Sequence, residues 1–251
     1  SVEGFTSMIT PTLVHKMALI GSGHFPEAKD EIYQIANPGK LASGEIIKEP
    51  TYLVGTAEPS LLAYRADEVI EESELPIKLS GFSQCYRSEV GSYGKDLKGV
   101  FRIHEFMKVE QVVICKADHQ EAEKMFAKLL SISESILKDL ELPYRVIQMC
   151  TGDMGLGKYK MCDVETWMPA SNAYRETHSC SNLTDWQMRR LNIRYKTKDG
   201  KKIYPFALNN TGIASPRILI ALLENHQQKD GCIKIPKKLQ KYCGFSIIKT
   251  M

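Results

Sequence analysis

Residues 85–115, CYRSEVGSYGKDLKGVFRIHEFMKVEQVVIC, constrain this chain more than any other stretch. Two strand-like runs flank a Gly- and Lys-rich segment, so the backbone reverses here and its two arms pair antiparallel. Side chains alternate across a strand. In the second arm Phe101, Ile103, Met107 and Val109 share a face, with Glu105 the exception, and that face is expected to pack against helices. The opposite face carries Arg102, His104, Phe106, Lys108 and Glu110. In the first arm Cys85, Arg87 and Glu89 fall together while Tyr86 points away. Pairing then gathers Arg87, Glu89, Arg102, Phe106 and Glu110 on one surface. A solvated sheet face laced with ion pairs, each worth about 0–1 kcal/mol, is the plain explanation of such a pattern. Two details favour a ligand site instead. Phe106 amid charges is a platform for a stacked ring, and the segment from Gly91 to Gly99, with Lys95 and Lys98, is longer than a hairpin needs and reads as a cover for an anion.

The flanking sequence extends the pattern. FTSMITPTLV reads as a strand stopping near Pro11, and GSGHFPEAKDEIYQI as a loop leading to another. NPGKLASGEIIKEPTYLV looks like a hairpin with polar turns. GTAEPSLLAYRADEVI switches to helical spacing, with Thr56 as N-cap and Pro59 in the first turn. Residues 118–140 form the clearest helix, opened by Asp118 and Glu121 as a capping box and carrying a broad apolar face of Ala122, Met125, Phe126, Leu129, Leu130, Ile136, Leu137 and Leu140. YRVIQMC, KMCDVETWMP and NAYRETHSCS read as strands, LTDWQMRRLNI as a short helix, Asp199-Gly200 as a hairpin turn and PRILIALLENHQQ as a late helix. Many strands in meander order with helices between them, and no strict βαβ alternation, give an α+β fold: a mostly antiparallel sheet with helices against one face.

Composition excludes more than it selects. At 251 residues and 43% hydrophobic the chain has ample core for one large domain or two small ones. A net charge of +3 is too small to argue for a polyanionic partner. Seven scattered cysteines, odd in number and without a CxxC pair, argue against a disulfide framework and a thiolate zinc site. No apolar run approaches the roughly 18 residues that span a bilayer, and no signal-peptide pattern opens the chain. A soluble, cytoplasmic protein is expected.

Three further segments offer site chemistry: Thr56-Ala57-Glu58, Glu176-Thr177-His178-Ser179, and Asn209-Asn210-Thr211-Gly212 leading to Arg217. Singly each has an ordinary explanation: a helix cap, a surface charge, an ion pair. In this order, with the second-motif-like stretch 85–110, TGDMG, DVETWMP, YRETHSCSN and RRLNIRY, they resemble the catalytic domain of seryl-tRNA synthetases, which are class II aminoacyl-tRNA synthetases. The likeness covers nearly the whole chain.

The resemblance implies an antiparallel sheet flanked by helices, a single catalytic domain over residues 1–251, and two-step chemistry. L-serine is activated with ATP to seryl-adenylate, then transferred to the 3′ end of tRNA(Ser). It implies that Arg87 bridges the serine carboxylate and the α-phosphate, helped by Arg217 as the second catalytic arginine. Ser88, Glu89, Arg102, Ile103, Phe106 and Glu176 through Ser179 would complete the ATP site, with Glu89 on the adenine amino group, Phe106 and Arg217 on the two ring faces and Arg102 on the outer phosphates. Thr56, Ala57, Glu58, Glu110, Asn209 and Thr211 would bind serine, Glu110 and Thr211 taking its hydroxyl. Glu176 and Ser179 would hold Mg²⁺ through oxygen, and no zinc is needed. Departures from the family pattern are the missing N-terminal tRNA-binding arm, a nearly missing first-motif helix that would build the homodimer, lysines at 95 and 98 in place of arginines, and Thr211 in place of serine. An arm-less relative loading an amino acid onto a carrier protein, or a non-catalytic interaction paralogue, are the rival readings.

Overall fold

The computed structural model describes residues 3–37, 39–90 and 99–249. In chain order the elements are β1 (Thr6–Ile9), β2 (Leu13–His15), α1 (Lys16–Ser22), β3 (Thr51–Leu53), α2 (Glu58–Ala63), β4 (Val69–Glu71), β5 (Ile77–Tyr86), β6 (Glu105–Cys115), α3 (His119–Asp139) and β7 (Tyr144–Gln148). They continue with β8 (Lys160–Met168), β9 (Ala173–Thr184), α4 (Trp186–Arg190), β10 (Arg194–Lys196), β11 (Lys202–Ile203), β12 (Phe206–Ala214), α5 (Arg217–His226), β13 (Ile233–Lys234), α6 (Lys237–Cys243) and β14 (Ile247–Ile248). Seven strands form the main sheet in the order β1-β5-β6-β12-β9-β8-β7, antiparallel except for the parallel edge pair β1–β5.

The expected hairpin is its centre. β5 and β6 pair from Ile77–Ile114 to Tyr86–Glu105, with Cys85 opposite Phe106. β6 starts at Glu105, later than the alternation implies, because 99–104 are turns and bends. Gly91, Lys95 and Lys98 lie outside the described residues.

Alternation along β6 divides two cores. Val112 and Ile114 join Ala57, Leu61, Leu62, Met188 and Leu191 under α2 and α4. Val113 and Cys115 join Ala122, Phe126 and Leu129 of α3, while Ile218 and Ala221 of α5 pack with Leu137 on that same side. Helices therefore cover both faces, not one. The expected apolar face of β6 is also corrected at its near end: Met107 is 51% exposed, and Ile9 and Phe82 of the neighbouring strands are bare beside it, because α3 packs only on the far end of the strand. The charged face is the buried one here, with Lys108 and Glu110 only 8% and 3% exposed.

Local chemistry explains the individual elements. Asp118 caps α3, its carboxylate accepting from the Glu121 N–H at 2.8 Å. The N-cap of α2 is Ala57, one residue after the expected Thr56, whose Oγ1 instead lies 3.4 Å from the Glu58 N–H. Residues 40–46 close as a small bridged turn, and β3 pairs with β2 outside it. The residues near 34 make only an isolated bridge to Tyr52. Asp199-Gly200 turns β10 into β11 with Gly200 at φ 83°, a region glycine enters without steric cost.

One glycine decides how close α2 comes to the sheet. A Cβ at Gly81 would stand 3.0 Å from Ala57 Cβ and 3.1 Å from Leu61. Gly81→Val is expected to destabilise the chain by about 1–3 kcal/mol through overpacking, read as a lower urea midpoint with an unchanged slope.

Candidate active site

Two adjoining compartments open on the buried charged face. The first is walled by Arg87, Glu89, Phe101, Arg102, Phe106 and Arg217, with Ile103 and Thr177 also on its lining. The second lies between the approach to α2, the 22–31 segment, and strands β6, β9 and β12. Arg87, Lys108, Glu176 and Thr211 line both.

Arg87 follows β5 directly. Its N–H donates to the His104 carbonyl at 3.1 Å, which keeps the chain pinned past the end of the ladder. The guanidinium donates to the Gly55 carbonyl from Nε (3.4 Å) and Nη2 (3.3 Å) and sits 5.3 Å from the Phe106 ring centroid. Arg217 opens α5; its Nη1 donates to the Glu176 carboxylate at 3.0 Å and carbonyl at 3.1 Å, and its guanidinium lies 4.6 Å from the Phe101 ring. Arg102 donates to Glu89 at 2.9 Å. In the first compartment four cations, Arg87, Arg102, Lys108 and Arg217, face two carboxylates, Glu89 and Glu176. With rings at Phe101 and Phe106, this is a site for a flat, multiply anionic ligand.

The second compartment carries the opposite bias, with Glu27, Glu31, Glu58, Glu110 and Glu176 against Arg87, Lys108 and Lys158. Glu58 is held from two sides: Gln187 Nε2 donates to its Oε1 at 2.7 Å and Asn209 Nδ2 at 2.5 Å. Gln187 also donates to the Ser22 carbonyl at 2.9 Å, tying α4 to the end of α1. Thr211 stands directly opposite Glu110 in the β12–β6 register, where facing side chains approach to about 5 Å. Burial pushes the Glu110 carboxyl up; the Lys108 ammonium at 2.5 Å opposes this, and the charge of Glu58 adds to it. His24, against Ser22 Oγ at 2.9 Å, is pushed down by burial, which keeps its ring neutral.

Bulges aim these side chains. The β12–β6 register shifts between Thr211 and Ile213, so Thr211 and Ala214 both reach the cavity while Ile213 turns to the α3 core. On β9 the register shifts between His178 and Glu176. Residues three apart in a regular strand face opposite ways, yet here Glu176 and Ser179 both line the second compartment. Asn210, pointing the other way from its neighbours, donates to Gln111 Oε1 at 2.8 Å and joins Ser133 of α3.

Of the expected residues, the structure brings Arg87, Glu89, Arg102, Ile103, Phe106, Glu176, Thr177 and Arg217 around the first compartment, and Thr56, Glu58, Glu110, Ser179, Asn209 and Thr211 around the second. Three stand off the lining. Ala57 is buried against Gly81. Ser88 donates from Oγ to the Asp30 carbonyl at 2.6 Å. His178, 1% exposed, meets Thr177 Oγ1 at 2.9 Å, and burial pushes its imidazole down to about 4. Sequence reasoning did not select Phe101, Lys108, Lys158, Gln187, His24 or Asp163. Only Lys108 carried a signal, its place on the charged face of β6.

Asp163 stands opposite Ser179 in the β8–β9 register. Its Oδ1 is buried without a hydrogen-bond partner among the described residues. Burial, then the charge of Glu176, pushes its carboxyl up to about 6. Glu176 and Ser179, which line the second compartment, offer oxygen donors of the kind a hard divalent cation takes; no group of three His, Cys, Asp or Glu side chains clusters among the described residues.

A seven-stranded, mostly antiparallel sheet bearing this arginine-rich cleft defines the core of a class II aminoacyl-tRNA synthetase. The family described as tRNA synthetase class II core domain (G, H, P, S and T) matches residues 44–226, and the chain belongs to it. Within that family it is similar to a serine–tRNA ligase of Deinococcus radiodurans, 51% identical over 244 residues, which are 97% of this chain and 55% of the relative. Seryl-tRNA synthetase from Pyrococcus horikoshii complexed with ATP superposes with a TM-score of 0.91 at 41% identity, over 100% of this chain and 53% of that one. The cytoplasmic serine–tRNA ligase of Naegleria fowleri in complex with AMP gives 0.89 at 34% identity, over 99% and 56%. The chain thus spans about half the length of the relatives it matches.

The folded chain holds the Asp163 proton to about pH 6, whereas an unfolded aspartate releases it near 3.8. Stability is therefore lost as pH rises through this window, by up to about 1.4 kcal/mol per unit. Asp163→Asn is expected to raise stability by about 2–3 kcal/mol at pH 7.5, with the gain shrinking towards zero near pH 4, measured by urea denaturation at both values without added divalent cation.

Proposed function

We propose that this chain is the catalytic domain of a serine–tRNA ligase, acting as one unit over residues 1–251. The observation that carries the reading is the place of Arg87: one guanidinium lines both the cationic, ring-walled compartment and the carboxylate-rich one. In-line attack of a carboxylate on a phosphate needs charge neutralisation and positioning rather than a protein nucleophile. A carboxylate oxygen of serine attacks the α-phosphorus of ATP, the bond to the bridging oxygen breaks, and pyrophosphate leaves. Arg87 is the fork shared by the two anions. The terminal adenosine hydroxyl of tRNA(Ser) then attacks the seryl carbonyl carbon and AMP departs.

ATP occupies the first compartment, with adenine between Phe106 and Arg217, its amino group on Glu89 and its outer phosphates on Arg102. Phe101, which already carries Arg217 on its face, extends the aromatic wall. Serine occupies the second, its ammonium on Thr56 and Glu58 and its hydroxyl between Glu110 and Thr211. A site built to pair a hydroxyl rejects the analogue lacking it by about 10⁴–10⁵-fold, so alanine is excluded by chemistry; threonine is excluded by space. Mg²⁺ on Glu176 and Ser179 supplies charge neutralisation to the phosphates when bound. The bare apolar strip of Ile9, Phe82 and Met107 supports a homodimer, which sedimentation of the chain reads directly. No helix among the described residues is long and apolar enough to cross a membrane.

The test is ATP–pyrophosphate exchange with each of the twenty amino acids. Exchange with serine alone, abolished by EDTA, is expected; exchange only with another amino acid indicates a carrier-loading relative, and none indicates a non-catalytic paralogue. Arg87→Ala is expected to lower exchange by about 10²–10³-fold with unchanged circular dichroism and melting temperature.

A further inference from the structure

The proposed serine site leaves one buried charge without a role. Lys108 is 8% exposed, lines both compartments, and places its ammonium 2.5 Å from Glu110 Oε2. A buried ion pair of this kind gains little stability over an apolar pair of the same volume, so its retention on the cavity floor calls for a chemical reason. We propose that Lys108 is a specificity-determining positioning residue, whose ammonium keeps Glu110 a charged, acceptor-only group opposite Thr211 for the hydroxyl of the bound amino acid. The inference rests on the serine reading and deepens it.

The surroundings of Glu110 argue for this. Gly81 faces it from β5 and offers no side chain. From the start of α2 come Thr56, a hydrogen-bond partner, and Glu58, a like charge. From β12 comes Thr211, a neutral hydroxyl. The thiols of Cys85 on β5 and Cys180 on β9 both sense its charge. Across the compartment stand Arg87, Lys158 and His24, with the carboxylates of Glu27, Glu31 and Glu176. Lys108 is thus the cation in contact with it, against burial and Glu58, both of which favour the protonated form. Protonation state decides hydrogen-bond polarity. An ionised carboxylate only accepts, so the amino-acid hydroxyl must donate to it and keep its lone pairs for the Thr211 O–H. A neutral carboxyl brings its own proton and is a weaker acceptor, so the amino-acid hydroxyl is no longer obliged to donate and its advantage over a methyl shrinks.

The experiment is serine- and alanine-dependent ATP–pyrophosphate exchange between pH 6 and 9 for the wild-type chain, Lys108→Met, Lys108→Arg, Glu110→Gln and the Lys108→Met/Glu110→Gln double variant. Losing the cation raises the Glu110 pKa, so the defect is expected to be largest at low pH and to fade as pH rises. Lys108→Met should raise the serine KM about tenfold at pH 7, recover towards wild type near pH 9, change kcat less than threefold, and lower the serine-over-alanine preference about tenfold. Lys108→Arg should keep the wild-type pH profile. In the Glu110→Gln background Lys108→Met should alter the serine KM less than twofold, and this neutral pair keeps the comparison available where the single variant folds poorly. A pH-independent fall in kcat with unchanged serine KM, or a tenfold KM effect persisting without Glu110, overturns the proposal. Absence of serine-dependent exchange in the wild-type chain overturns the serine reading and this inference together. Normal wild-type exchange with an unaltered Lys108→Met profile overturns the inference alone.

Discussion

The structure depends on the pairing of β6 with β5 on one side and β12 on the other. That pairing buries a carboxylate, Glu110, between a strand position with no side chain, Gly81, and one with a hydroxyl, Thr211. Because Gly81 has no Cβ, Ala57 and Leu61 press against the sheet and bring Thr56 and Glu58 over the same floor. Two buried acids then share one floor. Glu58 is held by the amides of Gln187 and Asn209, and Glu110 faces the ammonium of Lys108 as an ion pair. Shape and polarity of the second compartment follow from these few contacts.

The first compartment is built by a different device. Its arginines are anchored to backbone carbonyls and aromatic rings rather than left in solvent. Arg87 lies on Gly55 and Phe106, and Arg217 on Glu176 and Phe101. Guanidinium groups held this way lose little freedom when an anion arrives. The carboxylates of Glu89 and Glu176 pair with Arg102 and Arg217. Excess positive charge in one compartment and excess negative charge in the next suit ligands of opposite charge lying side by side.

The helices on the far face serve the same floor. Ser133 of α3, fully buried in an otherwise apolar stripe, accepts from the Asn210 amide and donates to the Thr211 carbonyl. β12 is thereby clamped where its bulge redirects Thr211 and Ala214. A polar network in the core is tolerated because its members are paired with one another, and it fixes which residues look into the cleft.

The sequence alone determined the β5–β6 hairpin, the cap and apolar stripe of α3, the Asp199-Gly200 turn and the charged face that carries Arg87, Phe106 and Glu110, since each follows from periodicity or turn chemistry within a few residues. Through ordered motifs it also marked Thr56, Glu58, Glu176, Ser179, Thr211 and Arg217. Only the tertiary structure decided that the charged face of β6 is buried while Met107 stays bare, because that depends on where α2 and α3 land rather than on alternation. It alone set Glu176 and Ser179 side by side, since a bulge on β9 overrides the two-residue period that a reader of the sequence must assume. Asp163, His24 and Gln187 became visible as site residues for the same reason: their meaning lies in neighbours up to 165 residues away along the chain, and a strand pattern holds no information about partners that distant.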